Sequence, residues 1–442
     1  MKIQLSEHFD YRKLLRFTLP SIIMMIFTSI YGVVDGFFIS NFVGKTPFAA
    51  INLIMPFLMI FGAIGFMIGT GGSALVAMKL GEGKNKEANE IFSLLVYVTI
   101  GAGILITVVG LALLRPVSIA LGAEGEMLTC CINYGRIIIP ALTALMLQNV
   151  FQSFLVTAER PNLGLIVTII AGVTNIILDV LFIAVFKWGV VGAASTTALA
   201  QCMGGIIPLI YFISKNSSAL RLGKTKWHVG YLIKACTNGA SELMTNISMS
   251  VVNICYNYQL MKIAGEDGIA AYGVIMYVNF IFASVFLGYA IGSAPIVGFH
   301  YGACNHDELK KLLKRSIVII SCVGVGLTVL AELTARPLAL VFVSYDAELI
   351  SMTTRGFMLY SLSFLISGIN IYASSFFTAL NNGAVSATIS FLRTLLFQIA
   401  AVMLLPILLG IDGVWLSIVV AELCALAVSI GFLVKMKSRY QY

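Results

Sequence analysis

The chain of 442 residues is 59% hydrophobic and only 11% charged, with a mean hydropathy of +0.97, where an ordinary soluble domain carries about 25% charged residues. That balance excludes a soluble globular protein and describes a polytopic membrane protein. The formal net charge of +8 does not argue for a nucleic-acid partner, because the cations gather at alternate loops and so report topology.

Met1 to Arg16 is polar and charged, and the apolar run that follows is too long for a signal-peptide core, so no cleavable leader is expected. Apolar runs punctuated by Gly, Pro and charge predict twelve spans: 14–42, 48–78, 89–114, 128–157, 163–186, 190–214, 229–263, 269–299, 309–335, 349–379, 385–409 and 412–436. One set of connections holds Lys2, Arg12, Lys13 and Arg16, then Lys79, Lys84 and Lys86, then Lys215, Arg221, Lys224, Lys226 and Lys234, then Lys310, Lys311, Lys314 and Arg315, and last Lys435, Lys437 and Arg439. The alternate set holds mainly single cations, Lys45, Arg115, Lys187, Lys262 and Arg336. The positive-inside rule therefore predicts that both termini are cytoplasmic, and an even number of spans agrees.

The first span carries a proline and an acid. Pro20 removes a backbone hydrogen bond and invites a bend, and Asp35 lies within hydrocarbon depth, where an ionisable side chain is expensive unless it has a function. The longest polar connection, Lys215 to His228, divides the chain nearly in half, and the halves match at a constant offset of 221 residues. Gly71 falls on Gly292, Gly81 on Gly302, Arg115-Pro116 on Arg336-Pro337, and Gly189 and Gly192 on Gly410 and Gly413. With six spans in each half both repeats begin on the same side, so they are parallel and related by an axis along the membrane normal. The predicted organisation is an N-terminal lobe over 1–214, a cytoplasmic linker over 215–228 and a C-terminal lobe over 229–442. Small-residue stripes such as Gly65-Phe-Met-Ile-Gly69 and Gly288-Tyr-Ala-Ile-Gly292 read as close helix packing.

At 1.5 Å of rise per residue, Asp35, Asp179 and Thr197 all lie roughly 10 Å below the outer surface, with Asn175 one turn beneath Asp179 on the same face. Two carboxylates, an amide oxygen and a hydroxyl at one depth make a site for a hard cation such as sodium, or for a proton shared by the acids. Ala400 and Tyr256 stand where the second half would repeat Asp179 and Asp35, so the ion site is expected in the N-terminal lobe alone. Glu242 is a candidate second acid, whereas Glu422, Arg136, Arg355 and Arg393 read as pairing or snorkelling groups. Between the lobes Tyr31, Gln148, Gln152, Asn257, Tyr277, Asn370 and Tyr372, with Met55, Met59, Met146 and Met276, are candidates to line an adaptable cavity whose aromatic faces suit organic cations. The cysteines form no CxxC pair and the histidines lie near loops or termini, so no metal or cofactor centre is expected beyond the coupling ion.

In these features the chain resembles the MATE (multidrug and toxic compound extrusion) transporters over essentially its whole length, most closely a bacterial MepA-like branch. The resemblance is carried by Leu19-Pro20, Val34-Asp35, Asn175-Ile-Ile-Leu-Asp179, Gly192-Ala-Ala194, Gly239-Ala-Ser-Glu242, Pro295-Ile-Val-Gly298 and Tyr301-Gly-Ala303. It implies an all-α membrane fold of twelve helices in two pseudo-symmetric six-helix lobes arranged as a V. It further implies a monomer in a bacterial inner membrane that exports varied, often cationic drugs by alternating access in exchange for sodium or protons. On the family pattern Asp35, Asn175, Asp179 and Thr197 match the ion site and Pro20 the bending point, while Glu242 stands earlier than the acid of the branch with a C-lobe ion site. An enzyme is not expected. Alternatives are a flippase of lipid-linked precursors, for which the in-span arginines are few and scattered, or an exporter of an endogenous metabolite.

Overall fold

The computed structural model describes residues 3–343 and 346–442; Lys2, among the inner cations, and the side chain of Lys45, among the outer ones, lie outside the described residues. The described residues contain no strand. The first half comprises α1 (Tyr11–Phe38, prolonged by a π-helical turn Ile39–Val43), α2 (Lys45–Gly81), α3 (Asn85–Ala120), α4 (Gly125–Thr157), α5 (Pro161–Leu178, prolonged by a π-helical turn Asp179–Val185) and α6 (Gly189–Ile213). The second half begins with α7, built from Val229–Asn238 and, after a kink at Gly239, 240–264; α8 covers 266–302 and α9 is His306–Val343. Next come α10 (Ala347–Ser361 and Phe364–Ala379, bent by 46°), α11 (Gly383–Leu409, with a π-helical turn Leu392–Leu396) and α12 (Ile411–Tyr440).

The stretch Ala240–Gly302 spans 63 residues, which as one straight helix would reach about 95 Å, three times the hydrocarbon thickness; it is two helices. The chain reverses within it at Gly265, whose φ of 63° and ψ of −146° lie outside the helical region. Counted on each side of that glycine, and with the bent α10 as one span, the described residues hold the expected twelve.

The repeat is written in the backbone as well as the sequence. Gly44 and Gly265, Gly83 and Cys304, and Gly189 and Gly410 are three pairs 221 residues apart, and all six residues have positive φ. Each pair marks the same turn in its half: between the first two helices, the second and third, and the fifth and sixth.

Glycines also set how the halves meet. A Cβ on Gly81 would lie 2.0 Å from the carbonyl oxygen of Phe299, and one on Gly302 would lie 2.0 Å from that of Met78. Residues 78 and 299 are repeat partners, as are 81 and 302, so the α2–α8 crossing maps onto itself under the pseudo-twofold, as an isologous interface does. The stripe at Gly288 and Gly292 receives Ile22 and Thr18 of α1, and Gly65 and Gly69 receive the backbone of α4 at Met146, Asn149 and Val150.

Along α1 and α8 these contacts run up to Ser29, whose hydroxyl reaches the Phe280 carbonyl at 3.3 Å. Beyond that level the helices part: Gly32 and Gly36 on α1 and Gly273 on α8 have no atom within 4 Å of where a Cβ would stand. The halves are therefore closed at the end bearing the chain termini and open at the other.

The connection after α6 is pinned rather than loose. Asn89 on α3 accepts from the Arg221 N–H at 2.7 Å and donates to the Ala219 carbonyl at 3.2 Å. Ser93 accepts from Gly223 at 3.0 Å, and Leu220 is fully buried.

Candidate ion and cargo site

The deepest polar groups of the first half converge where α1, α5 and α6 meet. Asp179 is the first residue of the π-helical turn that ends α5, the kind of local irregularity that redirects a side chain and recurs at functional positions. Asp35 lies four residues before the corresponding turn of α1, and the Ile39 N–H bonds to its main-chain carbonyl. The Asp35 carboxyl has Asp179 and Asn175 as side-chain neighbours. Asp179 is fully buried and Asn175 nearly so, while Asp35 is half-buried, towards the open end.

What marks this cluster is an excess of acceptors. Asp35 Oδ1, Asn175 Oδ1 and both carboxylate oxygens of Asp179 are buried without a donor among the described residues. Orphaned buried acceptors are costly, and no Lys or Arg pairs with either acid among the described residues. Four oxygens with no donor fit a hard cation or a shared proton; they do not fit an anion.

The hydroxyl beside Asp179 is that of Thr196, not Thr197. Both threonines donate to the Ala193 carbonyl, at 2.9 and 3.0 Å, but Thr196 is fully buried and Thr197 only partly. One residue along a helix is about 100° around its axis, and equal depth did not reveal that rotation. Tyr134 on α4, which sequence reasoning missed, is buried and faces both acids; its depth alone would have placed it among the candidates.

The cavity candidates divide. Tyr31 is half-buried beside Gln148, which packs on Gly204 of α6 and is itself buried, like Gln152 and Met146. Met59 and Tyr277 are exposed and Asn257 half-buried. Met55 and Met276 are repeat partners with matching roles, since their sulfurs lie 4.0 Å from the hydroxyls of Tyr134 and Tyr360.

Asn370 and Tyr372, in contrast, sit inside the second half and present no surface between the lobes. Asn370 is fully buried, donates to Glu422 Oε2 at 2.7 Å and accepts from Ser429 at 2.9 Å. Tyr372 is buried against Tyr289, with ring centroids 5.9 Å apart. Glu422 pairs with Arg393 at 2.9 Å, and Arg355 pairs with Asp412 on the surface, as pairing groups should. Arg393 is also the cation facing Glu242. The second half thus balances its buried acids with an arginine, and the first leaves its acids unbalanced.

Twelve spans in two repeats, joined at one end and open at the other, with unbalanced acids near the opening, define a membrane protein of transporter architecture. The family model for MatE matches the chain twice, over residues 20–181 and 243–404, one match per repeat. The chain belongs to the MatE family, a family of transporters. It is 24% identical over 420 residues to the multidrug export protein MepA of Staphylococcus aureus (strain MSSA476), covering 94% of this chain and 92% of that one. It is 23% identical over 419 residues to MepA of Staphylococcus saprophyticus, with the same coverage. Among solved structures it resembles one described as the outward-facing conformation of a multidrug resistance MATE family transporter of the MOP superfamily, with TM-score 0.93, 22% identity and coverage of 98% and 97%. It likewise resembles MATE in the straight conformation, with TM-score 0.91, 21% identity and coverage of 98% and 97%. These likenesses agree with the fold built up from the sequence.

Proposed function

We propose that this protein is a secondary active antiporter that exports lipophilic, often cationic compounds in exchange for sodium or protons. The lobes are 1–214 and 229–442, joined by 215–228, with both termini cytoplasmic in a bacterial inner membrane. The observation that carries the reading is the set of unpaired buried oxygens of Asp35, Asn175 and Asp179 on the open side of the molecule. An ion entering from outside supplies the missing positive partner, and the first lobe then favours a different packing of α1. Pro20, with no N–H to give, is where α1 bends, and the cavity between the lobes loses affinity for its cargo. Only differential affinity between two states is required. Multidrug export by the staphylococcal relatives supports the cargo class.

A flippase for lipid-linked precursors is the weaker reading, because Arg393, a largely buried arginine within a span, is committed to Glu422 and is not free to bind a pyrophosphate. The deciding experiment is ethidium efflux from proteoliposomes with sodium and pH gradients imposed separately, for wild type and Asp179→Asn. Gradient-driven efflux lost in the variant supports the antiporter and identifies its ion. Efflux that ignores both gradients, or survives the substitution, refutes the mechanism.

A further inference from the structure

We infer that the cleft between the starts of α1 and α5 and the end of α6 is a binding site for one anionic phospholipid. The cleft encloses about 1070 Å³ at the end bearing the chain termini and is remote from the acid cluster. Among the described residues its polar end carries Arg16, Arg160 and Lys215 and one carboxylate, Glu159, which accepts from the Leu5 N–H at 2.9 Å.

Two donors there are buried and without a hydrogen-bond acceptor among the described residues: Arg160 Nε and the Tyr211 hydroxyl. Arg160 uses Nη2 on Ser217, so its guanidinium is held in place with Nε left over. The first turn of α5 begins at Pro161 beside them with no side-chain cap, so the positive end of the helix dipole faces this end of the cleft. Unmet donors, surplus cations and an uncapped helix start all ask for an anion with several acceptor oxygens, which a phosphate ester supplies.

The remaining walls choose among phosphates. Leu19, Ile23 and Ile166 line the cleft and are 51%, 41% and 52% exposed, so the apolar wall runs out onto the membrane-facing surfaces of α1 and α5. A headgroup at Arg160 would leave an acyl chain along those side chains. A free phosphate would use none of them.

The test is native mass spectrometry of the full chain in non-ionic detergent, titrated with phosphatidylglycerol. Wild type should retain one tight lipid. Arg160→Gln and Arg16→Gln should each weaken it about tenfold, the loss of one charge-assisted contact, and Tyr211→Phe should weaken it less. Lys310→Gln/Lys311→Gln, which removes two exposed cations from the same end in the other half, should leave it unchanged. Arg16 is exposed, so its variant tests binding without disturbing the fold. Equal loss in the lysine control, no loss in the arginine variants, or no retained lipid overturns the inference. Displacement by inorganic phosphate at the lipid's own concentration overturns it in favour of a free-anion site.

Discussion

Glu422 holds Arg393 Nε at 2.9 Å, and at the repeat-related place of Glu422 in the first half stands Gln201, whose Oε1 is buried without a donor among the described residues. The same fold position is thus a closed ion pair in one lobe and an open acceptor in the other. Breaking a buried pair by removing one partner leaves the other charge uncompensated, typically at ~3–5 kcal/mol. Arg393→Leu should therefore lower thermal stability sharply, and Arg393→Leu/Glu422→Leu should recover much of the loss. Unfolding curves in detergent settle this, and a single variant as stable as wild type would show that the pair contributes nothing.

Thr196 rather than Thr197 stands beside Asp179. Thr196→Val should raise the ion concentration needed for half-maximal efflux by about fivefold, roughly 1 kcal/mol for the loss of one polar neighbour of Asp179, with Thr197→Val close to wild type. The reverse order would return the role to Thr197.

The glycines at the lobe junction admit no side chain. Gly81→Ala and Gly302→Ala each force a Cβ against a backbone carbonyl and should cost ~1–3 kcal/mol by overpacking. Gly32→Ala, with open space around it, should be neutral or slightly stabilising, since alanine is the better helix former. Melting temperatures of the three variants make the comparison, and equal effects would contradict the close approach.

The segment before α1 bridges the lobes on the closed side. Leu5 donates to Glu159 on one half, and Phe9 donates to Glu308 Oε1 at 2.9 Å on the other, where Glu308 also meets His8 at 2.6 Å and Arg315 donates to the Phe9 carbonyl. Opening the molecule on this side must break one of these anchorages. Glu308→Ala should speed maleimide labelling of a cysteine placed at Ser73, buried near the junction, by about fivefold if the anchor contributes ~1 kcal/mol. Unchanged labelling would make the segment a passive covering.

The sequence by itself determined the membrane class, twelve spans and the repeat at a constant offset, because hydropathy and glycine placement are properties of position along the chain. It also marked Glu422 as a pairing or snorkelling group, and Glu422 pairs with Arg393, since buried charges need partners. Only the tertiary structure decided which way side chains face around each helix: that Thr196 and Tyr134 point at the acids, and that Asn370 and Tyr372 turn into the second lobe. Only it showed that the halves close at Gly81 and Gly302 and part above Ser29. Azimuth and crossing depend on which neighbour a helix packs against, and when both faces of a span are apolar its own sequence does not choose that neighbour.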